Sequence, residues 1–169
     1  MTLEQLNEAS ADQAETEFLK CCGSARWASA MTAVRPFANN DALFAKADEL
    51  WWSLSAEDWL EAFRAHPKIG EKKAASAAQS EQARAWSVQE QSGVADASSQ
   101  TKDELERLNR EYEDQFGFIF IVCASGKSSE AMLSILNNRI DNDRDTELRI
   151  AAEEQRKITR LRLEKWLNQ

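Results

Sequence analysis

Apolar residues recur along most of this 169-residue chain at the three-to-four-residue spacing of amphipathic helices. Capping boxes, in which a Ser or Thr is followed three residues later by an acidic or amide side chain, mark helix starts at Thr2, Ser55 and Thr101. The pattern predicts a short helix from Thr2 and further helices over 11–22, 26–34, 40–54, 56–65, 72–91, 101–115, 129–140 and 144–167. A content of only 5 Gly and 2 Pro agrees with long helices and few tight turns.

The predicted helix over 72–91 has a thin apolar face, which Gln82 interrupts. Its expected core stripe consists of Ala75, Ala78, Ala85 and Trp86. The residues that follow, 92–100, are small and polar, so we predict a loop there. Helix 40–54, by contrast, carries a continuous apolar stripe from Leu43 to Leu54.

Residues 116–124 break the helical pattern, because they are apolar throughout and rich in β-branched and aromatic side chains. We predict a buried strand or extended segment. One such segment cannot form a sheet, so its backbone N–H and C=O groups need other partners. The segment is therefore either a pocket wall or a plain part of the core. Together these elements predict an all-α fold, a single domain over 1–169 with eight or nine helices and one buried extended segment.

The net charge of −8 argues against nucleic acid and anionic membranes as partners, since both bind through basic patches. No apolar run approaches the ~20 residues of a membrane span, and the N-terminus lacks the regions of a secretory signal. Cys21, Cys22 and Cys123 show no paired spacing, which predicts no disulfide framework and a reducing, cytoplasmic location. Because the chain has only one histidine in addition to these thiols, we predict no metal site.

His66 is the only histidine of the chain, and therefore the only side chain whose ordinary pKa suits proton transfer near neutral pH. Pro67 disfavours a helical backbone at His66, and Gly70 permits a turn shortly afterwards. The histidine is thus expected at a stiff corner that follows the helix over 56–65. Two interpretations are open at this point: a positioned acid or base, or an ordinary surface or core histidine.

Trp86, Ser87, Glu90 and Gln91 fall on one side of a predicted helix. A carboxylate beside an indole is partly removed from water, which raises its pKa and suits it to proton transfer. The alternative is a solvated helix surface, where most glutamates lie.

Arg162 stands at the edge of the apolar stripe that Ile158 and Leu161 begin in the last helix. A half-buried guanidinium needs an anion, which could be Glu90 or the carboxylate of a substrate. The alternative is an ordinary basic helix end, because several more cations complement the helix dipole there: Arg156, Lys157, Arg160 and Lys165.

Five segments in order along the chain resemble the OHCU decarboxylase family. His66–Gly70 is similar to its HPxIG signature, and Ser87–Gln91 to its Ser-x-x-Glu-Gln motif. Further similarities lie in the N-terminal block, the FGF segment and the closing helix, at 22–37, 116–122 and 158–163. The resemblance extends over nearly the whole chain.

This resemblance implies an all-helical homodimer that needs neither a metal nor an organic cofactor. It implies that His66 is the essential catalytic residue and that Glu90 is its acid–base partner. The substrate would be bound by Pro67, Ser87, Phe120, Val122 and Arg162, with Trp27 as part of the pocket wall. The substrate would be 2-oxo-4-hydroxy-4-carboxy-5-ureidoimidazoline (OHCU), an intermediate of urate breakdown, and the product would be (S)-allantoin.

Two other hypotheses account for the same residues. The first is a non-enzymatic acidic helical module that binds a protein partner through its tryptophans, for which an exposed apolar patch would be evidence. The second is a helical hydrolase in which His66 and Glu90 activate water on a related ureido ring. Release of CO2 distinguishes decarboxylation from that hydrolysis.

Overall fold

The computed structural model describes residues 1–69, 80–94 and 97–168. Over these ranges the chain forms nine α-helices and one 3₁₀ turn, with no strand. The helices are α1 (Leu3–Glu8), α2 (Ala11–Cys21), α3 (Ala25–Ala33), α4 (Asn40–Ser53), α5 (Ala56–Arg64), α6 (Glu81–Glu90), α7 (Ser99–Phe116), α8 (Ser129–Arg139) and α9 (Arg144–Leu167). The predicted all-α class is confirmed.

Short polar side chains begin most of these helices, since their oxygen accepts a backbone N–H that the first turn leaves unpaired. The N-caps of α1, α2, α3, α4, α6, α7 and α8 are Thr2, Ser10, Ser24, Asn39, Ser80, Ser98 and Ser128. The predicted capping box at Thr2 is confirmed, and Ser55 exchanges hydrogen bonds with Asp58 at the start of α5 as expected.

One predicted helix start is wrong, and one predicted helix is not continuous. α7 begins at Ser99, two residues before the predicted start, because Ser98 rather than Thr101 is its cap, and the Ser98 Oγ accepts the Thr101 N–H at 3.2 Å. The predicted helix over 72–91 is interrupted at Ser80, whose backbone is extended and which caps the helix that begins at Glu81. The positions 70–79 lie outside the described residues, so Gly70, Ala75 and Ala78 cannot be compared with their predictions.

The predicted apolar stripe of α6 is also wrong at one position. Ala85 is exposed, whereas Ala83 and Trp86 are buried. Burial at 83, 86, 87 and 90 follows the three-to-four-residue helical spacing and turns Ala85 to the opposite side. The predicted loop over 92–100 contains a 3₁₀ turn, Ser92–Val94.

The chain divides into two compact units, of which unit 1 contains 1–62 with 156–169 and unit 2 contains 63–155. Helices α5 and α9 contribute residues to both units. The expected single domain over 1–169 stays a prediction.

Unit 1 has an aromatic core. The Phe18 ring packs edge-on against Trp27 at a centroid distance of 5.8 Å and lies 6.2 Å from Trp166. The indole N–H of Trp27 donates to the Ala47 carbonyl at 3.1 Å, so a fully buried tryptophan keeps its polar atom satisfied. Five of the six tryptophans of the chain are buried, as expected, and Trp52 is the exposed one.

Unit 2 is built around an extended segment over 118–124, which is buried except for partial exposure at Ile119. Gly117 ends α7 in the left-handed conformation, with φ of 78°, which glycine adopts without a steric penalty. The rings of Phe118 and Phe120 then pack against Tyr112, at 5.9 and 5.5 Å. The predicted buried extended segment is confirmed.

Arg139 of α8 and Glu147 of α9 form a buried ion pair that contacts this segment. The Arg139 guanidinium donates from Nε to Glu147 at 2.5 Å and from Nη1 to the Ile121 carbonyl at 2.6 Å. It also lies over the Phe120 ring, 4.7 Å from the centroid. The Tyr112 hydroxyl donates to the same Glu147 carboxylate, and burial, more than this carboxylate, raises the pKa of Tyr112 above its ordinary value.

Gly93 brings the end of α6 close to the turn that follows the extended segment. A Cβ at position 93 would lie 2.1 Å from the Lys127 carbonyl oxygen, a distance that no side chain tolerates. The carbonyl of Gly93 also accepts from the Ser129 Oγ at 3.1 Å. Glycine is therefore required here for close approach of two backbones.

Gly93→Ala is expected to lower the free energy of unfolding by roughly 1–3 kcal/mol, since the backbones must separate to admit the methyl group. Urea denaturation followed by tryptophan fluorescence measures this change. Ser92→Ala, at an exposed neighbouring position, is the matched control and is expected to change stability by less than about 0.5 kcal/mol. Equal stability of the two variants would show that the close approach at Gly93 is unimportant.

Candidate active site

His66 lies at a corner just after the end of α5. Its backbone N–H donates to the Phe63 carbonyl at 3.1 Å, and Pro67 follows without an N–H of its own. The imidazole is half-buried, and its Nε2 lies 2.7 Å from Oε1 of Gln155, a fully buried side chain of α9. The predicted corner is thus present, and the ring is held from α9.

Ser87 and Glu90 both lie on the buried face of α6, with side chains that are 4% and 8% exposed. The Ser87 Oγ donates to the Ala83 carbonyl at 3.0 Å. A glutamate so far removed from water is not a surface residue, so the alternative of a solvated helix face is wrong. Glu90 is a buried carboxylate in the same unit as His66.

The extended segment supplies backbone groups and buried side chains, among them Phe120 and Val122. The N–H of Cys123 donates to the Glu154 carboxylate of α9 at 2.7 Å, and the Cys123 carbonyl accepts from Lys127 Nζ at 2.8 Å. Glu154 precedes Gln155 in α9, so neighbouring residues of one helix contact this segment and the imidazole of His66. The backbone groups of the segment thus find partners in side chains of α8, of α9 and of the turn between the segment and α8.

Charges around Cys123 locate Glu90 near this segment. Burial raises the pKa of the Cys123 thiol above its ordinary value, Lys127 opposes the rise, and the carboxylates of Glu154 and Glu90 add to it. The thiol therefore stays protonated at neutral pH, which makes it a poor nucleophile. The structure brings the carboxylate of α6 within electrostatic reach of the extended segment.

Arg162 belongs to unit 1 and is 3% exposed, which is deeper than the expected edge of an apolar stripe. Two buried thiols lie within reach of its charge, those of Cys21 and Cys22. Burial raises the pKa of Cys22 to about 11, and Arg162 opposes the rise. The alternative of an ordinary basic helix end is therefore wrong for Arg162. Trp27 lies in the core of the same unit, and its expected place in a pocket wall stays a prediction.

Comparison with known proteins assigns the family. A sequence model of the family described as OHCU decarboxylase matches residues 7–164. The chain belongs to the OHCU decarboxylase family. The resemblance inferred from the five sequence motifs is confirmed.

Two relatives illustrate the range of the family. The uric acid degradation bifunctional protein TTL of Arabidopsis thaliana is 43% identical over 151 residues, which are 89% of this chain and 46% of that protein. This chain thus spans about half the length of the plant relative. The 2-oxo-4-hydroxy-4-carboxy-5-ureidoimidazoline decarboxylase of Haloferax volcanii is 30% identical over 165 residues, with 96% of this chain and 94% of the relative covered.

Solved structures of the family have the same fold. A crystal structure of an OHCU decarboxylase in the presence of (S)-allantoin superposes with a TM-score of 0.77 at 38% identity and covers 90% of this chain and 98% of its own. A crystal structure of an (S)-allantoin synthase, at 20% identity and a TM-score of 0.70, supports the fold alone.

Three residues that contact His66 or the extended segment are not predicted from the sequence. Arg139 holds the Ile121 carbonyl, Glu154 holds the Cys123 N–H, and Gln155 contacts His66. A signal for Gln155 exists, because it continues the buried spacing of Ala151 and Ala152 toward Ile158 in α9. A polar residue at an inward position of a helix is a candidate for a specific partner.

The described residues contain no group of three or more His, Cys, Asp or Glu side chains that could hold a metal ion. None of the described helices combines the length and the hydropathy that a membrane span requires.

Proposed function

We propose that the protein decarboxylates OHCU to (S)-allantoin without a metal or organic cofactor. The observation that carries the proposal is the buried carboxylate of Glu90 in the same unit as the only histidine, in a chain of the OHCU decarboxylase family. A buried acid and an imidazole are the two group types that proton transfer at neutral pH requires.

The substrate can lose CO2 without an external electron sink. Its carboxylate is attached to a ring carbon that also bears a hydroxyl and adjoins a C=N bond. When the carbon–carboxylate bond breaks, its electron pair forms a C=C bond, and the pair of the C=N bond moves to nitrogen, which takes up a proton. The hydroxyl then loses its proton to form the carbonyl of allantoin, as the adjacent carbon accepts a proton on one face. The sum is consumption of one proton and release of one CO2.

His66 and Glu90 are proposed to manage the two proton transfers at the hydroxyl and at the carbon that becomes the stereocentre. Delivery of the carbon proton from one side only accounts for a single enantiomer. A fixed acid and base at this position contribute about 10²–10⁴-fold to the rate.

Substrate binding is proposed for the remaining residues of the family motifs. Ser87 supplies a hydroxyl, and Pro67 shapes the corner that carries His66. Backbone groups at Phe120 and Val122 bind ring and ureido atoms. Arg162 binds a carboxylate or carbonyl oxygen, and this contact must strengthen in the transition state to accelerate the reaction.

The proposal is tested by measuring gas release during turnover. OHCU is generated in situ from urate by a urate oxidase and the hydrolase that follows it, and CO2 is measured by membrane-inlet mass spectrometry. The protein is expected to accelerate CO2 release in proportion to its concentration. Consumption of OHCU without faster CO2 release would indicate ring hydrolysis instead, and no effect on OHCU would leave a non-catalytic binding module.

Glu90→Gln is expected to lower kcat by about 10²–10⁴-fold with a much smaller effect on KM, because the amide keeps the shape of the side chain but is neither an acid nor a base near neutral pH. Initial rates of OHCU disappearance over a range of concentrations give both constants. Glu106→Gln, on the exposed side of α7 in the same unit, is the matched control and should keep the wild-type kcat. A Glu90→Gln enzyme with unchanged kcat would remove Glu90 from the reaction.

The protein is proposed to form a homodimer and to be located in the cytoplasm. The family resemblance supports the homodimer. Three buried cysteines without a disulfide agree with the cytoplasm. Light scattering on the purified protein is expected to give twice the chain mass of 19.1 kDa.

A further inference from the structure

Gln155, a fully buried amide of unit 2, contacts His66, the only histidine of the chain. Oε1 of Gln155 lies 2.7 Å from Nε2 of the imidazole, within hydrogen-bonding distance. The glutamine is fully buried in the middle of α9, where its rotamer is restricted by the surrounding core. A rigid partner of this kind can fix both the position and the tautomer of an imidazole.

We propose that Gln155 is a positioning residue, which fixes the ring of His66 and keeps a proton on Nε2. In the neutral imidazole the basic lone pair is then on Nδ1, and Nδ1 is the atom that exchanges a proton with the substrate. The catalytic part of this inference rests on the proposed function. The part that concerns the tautomer does not.

Charged residues on either side of this contact also form pairs of their own. Lys68, two residues after His66, pairs with Glu113 of α7 at 2.5 Å. Glu154, beside Gln155, accepts the Cys123 N–H. Gln155 contacts the imidazole with a neutral amide, which stabilises the imidazolium far less than a carboxylate at the same place would.

Two substitutions separate the effects of this contact. Gln155→Leu retains a buried side chain of similar volume and removes the acceptor. Gln155→Glu keeps the acceptor and adds a negative charge next to Nε2. Gln115→Glu, on the exposed end of α7, adds the same charge elsewhere in unit 2 and is the matched control.

Nitrogen-15 NMR determines the tautomer and the pKa of His66 without an activity assay. A chain with one histidine gives one set of imidazole signals, which needs no assignment. Long-range ¹H–¹⁵N spectra of the wild type above the pKa of His66 are expected to show the Nε2–H tautomer. Gln155→Leu is expected to give a mixture of tautomers. Gln155→Glu is expected to raise the pKa of His66 by about 1 unit or more relative to wild type, as a carboxylate within 4–6 Å does. Gln115→Glu should leave it unchanged.

Steady-state kinetics give a second readout. Gln155→Leu is expected to lower kcat about tenfold or more with little change in KM. In Gln155→Glu, the limb of the pH–rate profile that reports His66 should move to higher pH, by as much as the pKa of His66 measured by NMR. A purely structural role would lower both activities without moving the pH profile. Thermal midpoints are measured for each variant, so that loss of fold is distinguished from loss of positioning.

The outcomes separate this inference from the proposed function. An Nδ1–H tautomer in the wild type, or imidazole signals unchanged in both Gln155 variants, would overturn the inference even in an active enzyme. Expected NMR changes in a protein that releases no CO2 would support the positioning of the ring and overturn the proposed function.

Discussion

His66→Ala is expected to lower kcat for OHCU decarboxylation by about 10²–10⁴-fold while the protein stays folded, because the chain has no other imidazole to replace the lost acid–base group. The substitution removes a half-buried ring at a corner rather than a core side chain. It leaves the buried Gln155 amide without its imidazole partner, which costs about 1–3 kcal/mol of the free energy of unfolding. The loss of rate is therefore expected to exceed by far any loss of folded protein.

The rate is measured from the disappearance of the OHCU absorbance at saturating substrate, with urea denaturation of the same preparation. Lys68→Ala is the matched control, since Lys68 stands in the same motif and forms a partly exposed ion pair with Glu113. Exposed pairs of this kind contribute little, so both its kcat and its stability should stay close to the wild type. A His66→Ala enzyme that retains more than about a tenth of the wild-type kcat would contradict the role of His66, since acid–base groups contribute far more than tenfold.

Glu147→Ala is expected to have the largest effect on stability, with a loss of about 3–5 kcal/mol in the free energy of unfolding. The reason is that the Arg139 guanidinium, 6% exposed, would be left as a buried charge without its carboxylate. The substitution also deprives the buried Tyr112 hydroxyl and the Asn142 amide of their common acceptor. Equilibrium urea unfolding monitored by far-UV circular dichroism measures the change.

The double variant Glu147→Met with Arg139→Met tests the reason for that loss. Replacement of both members of a buried ion pair by apolar side chains often changes the free energy of unfolding little, whereas removal of one charge lowers it strongly. The double variant is therefore expected to be more stable than Glu147→Ala. If it is equally unstable, the packing around Glu147 rather than the unpaired charge explains the loss. Its kcat is expected to fall, because the Ile121 carbonyl loses its Arg139 donor.

The helical part of the fold is predictable because it depends on local signals. Periodic apolar positions and polar caps define α1 through α5, α8 and α9 to within about two residues, the usual uncertainty of helix ends. The start of α7 is predicted wrongly because Ser98 and Thr101 are both good N-caps, and only the folded chain decides between them. The extended segment was found because its apolar run is too short and too β-branched for a helix.

Burial of charged residues is not predictable in this way. The α6 face that contains Glu90 has few apolar positions, and the most exposed large hydrophobic side chain of the described residues, Val88, lies two positions away on the same helix. Arg139 stands at the end of α8, where a basic residue normally complements the helix dipole at the surface. Its burial depends on Glu147, which follows eight residues later in another helix. Such pairs form through tertiary contacts that no local pattern contains.

The central claim is that this protein directs OHCU to one enantiomer of allantoin by proton transfer at a fixed site. Its most direct test is the circular dichroism of the product when OHCU is generated in situ with and without the protein. Wild-type protein is expected to produce the signal of (S)-allantoin at a rate proportional to enzyme concentration, and His66→Ala is expected to give the slow, racemic and therefore signal-free product of the spontaneous reaction. Racemic allantoin from the wild type, or an (S)-allantoin signal of equal rate from His66→Ala, would contradict the account.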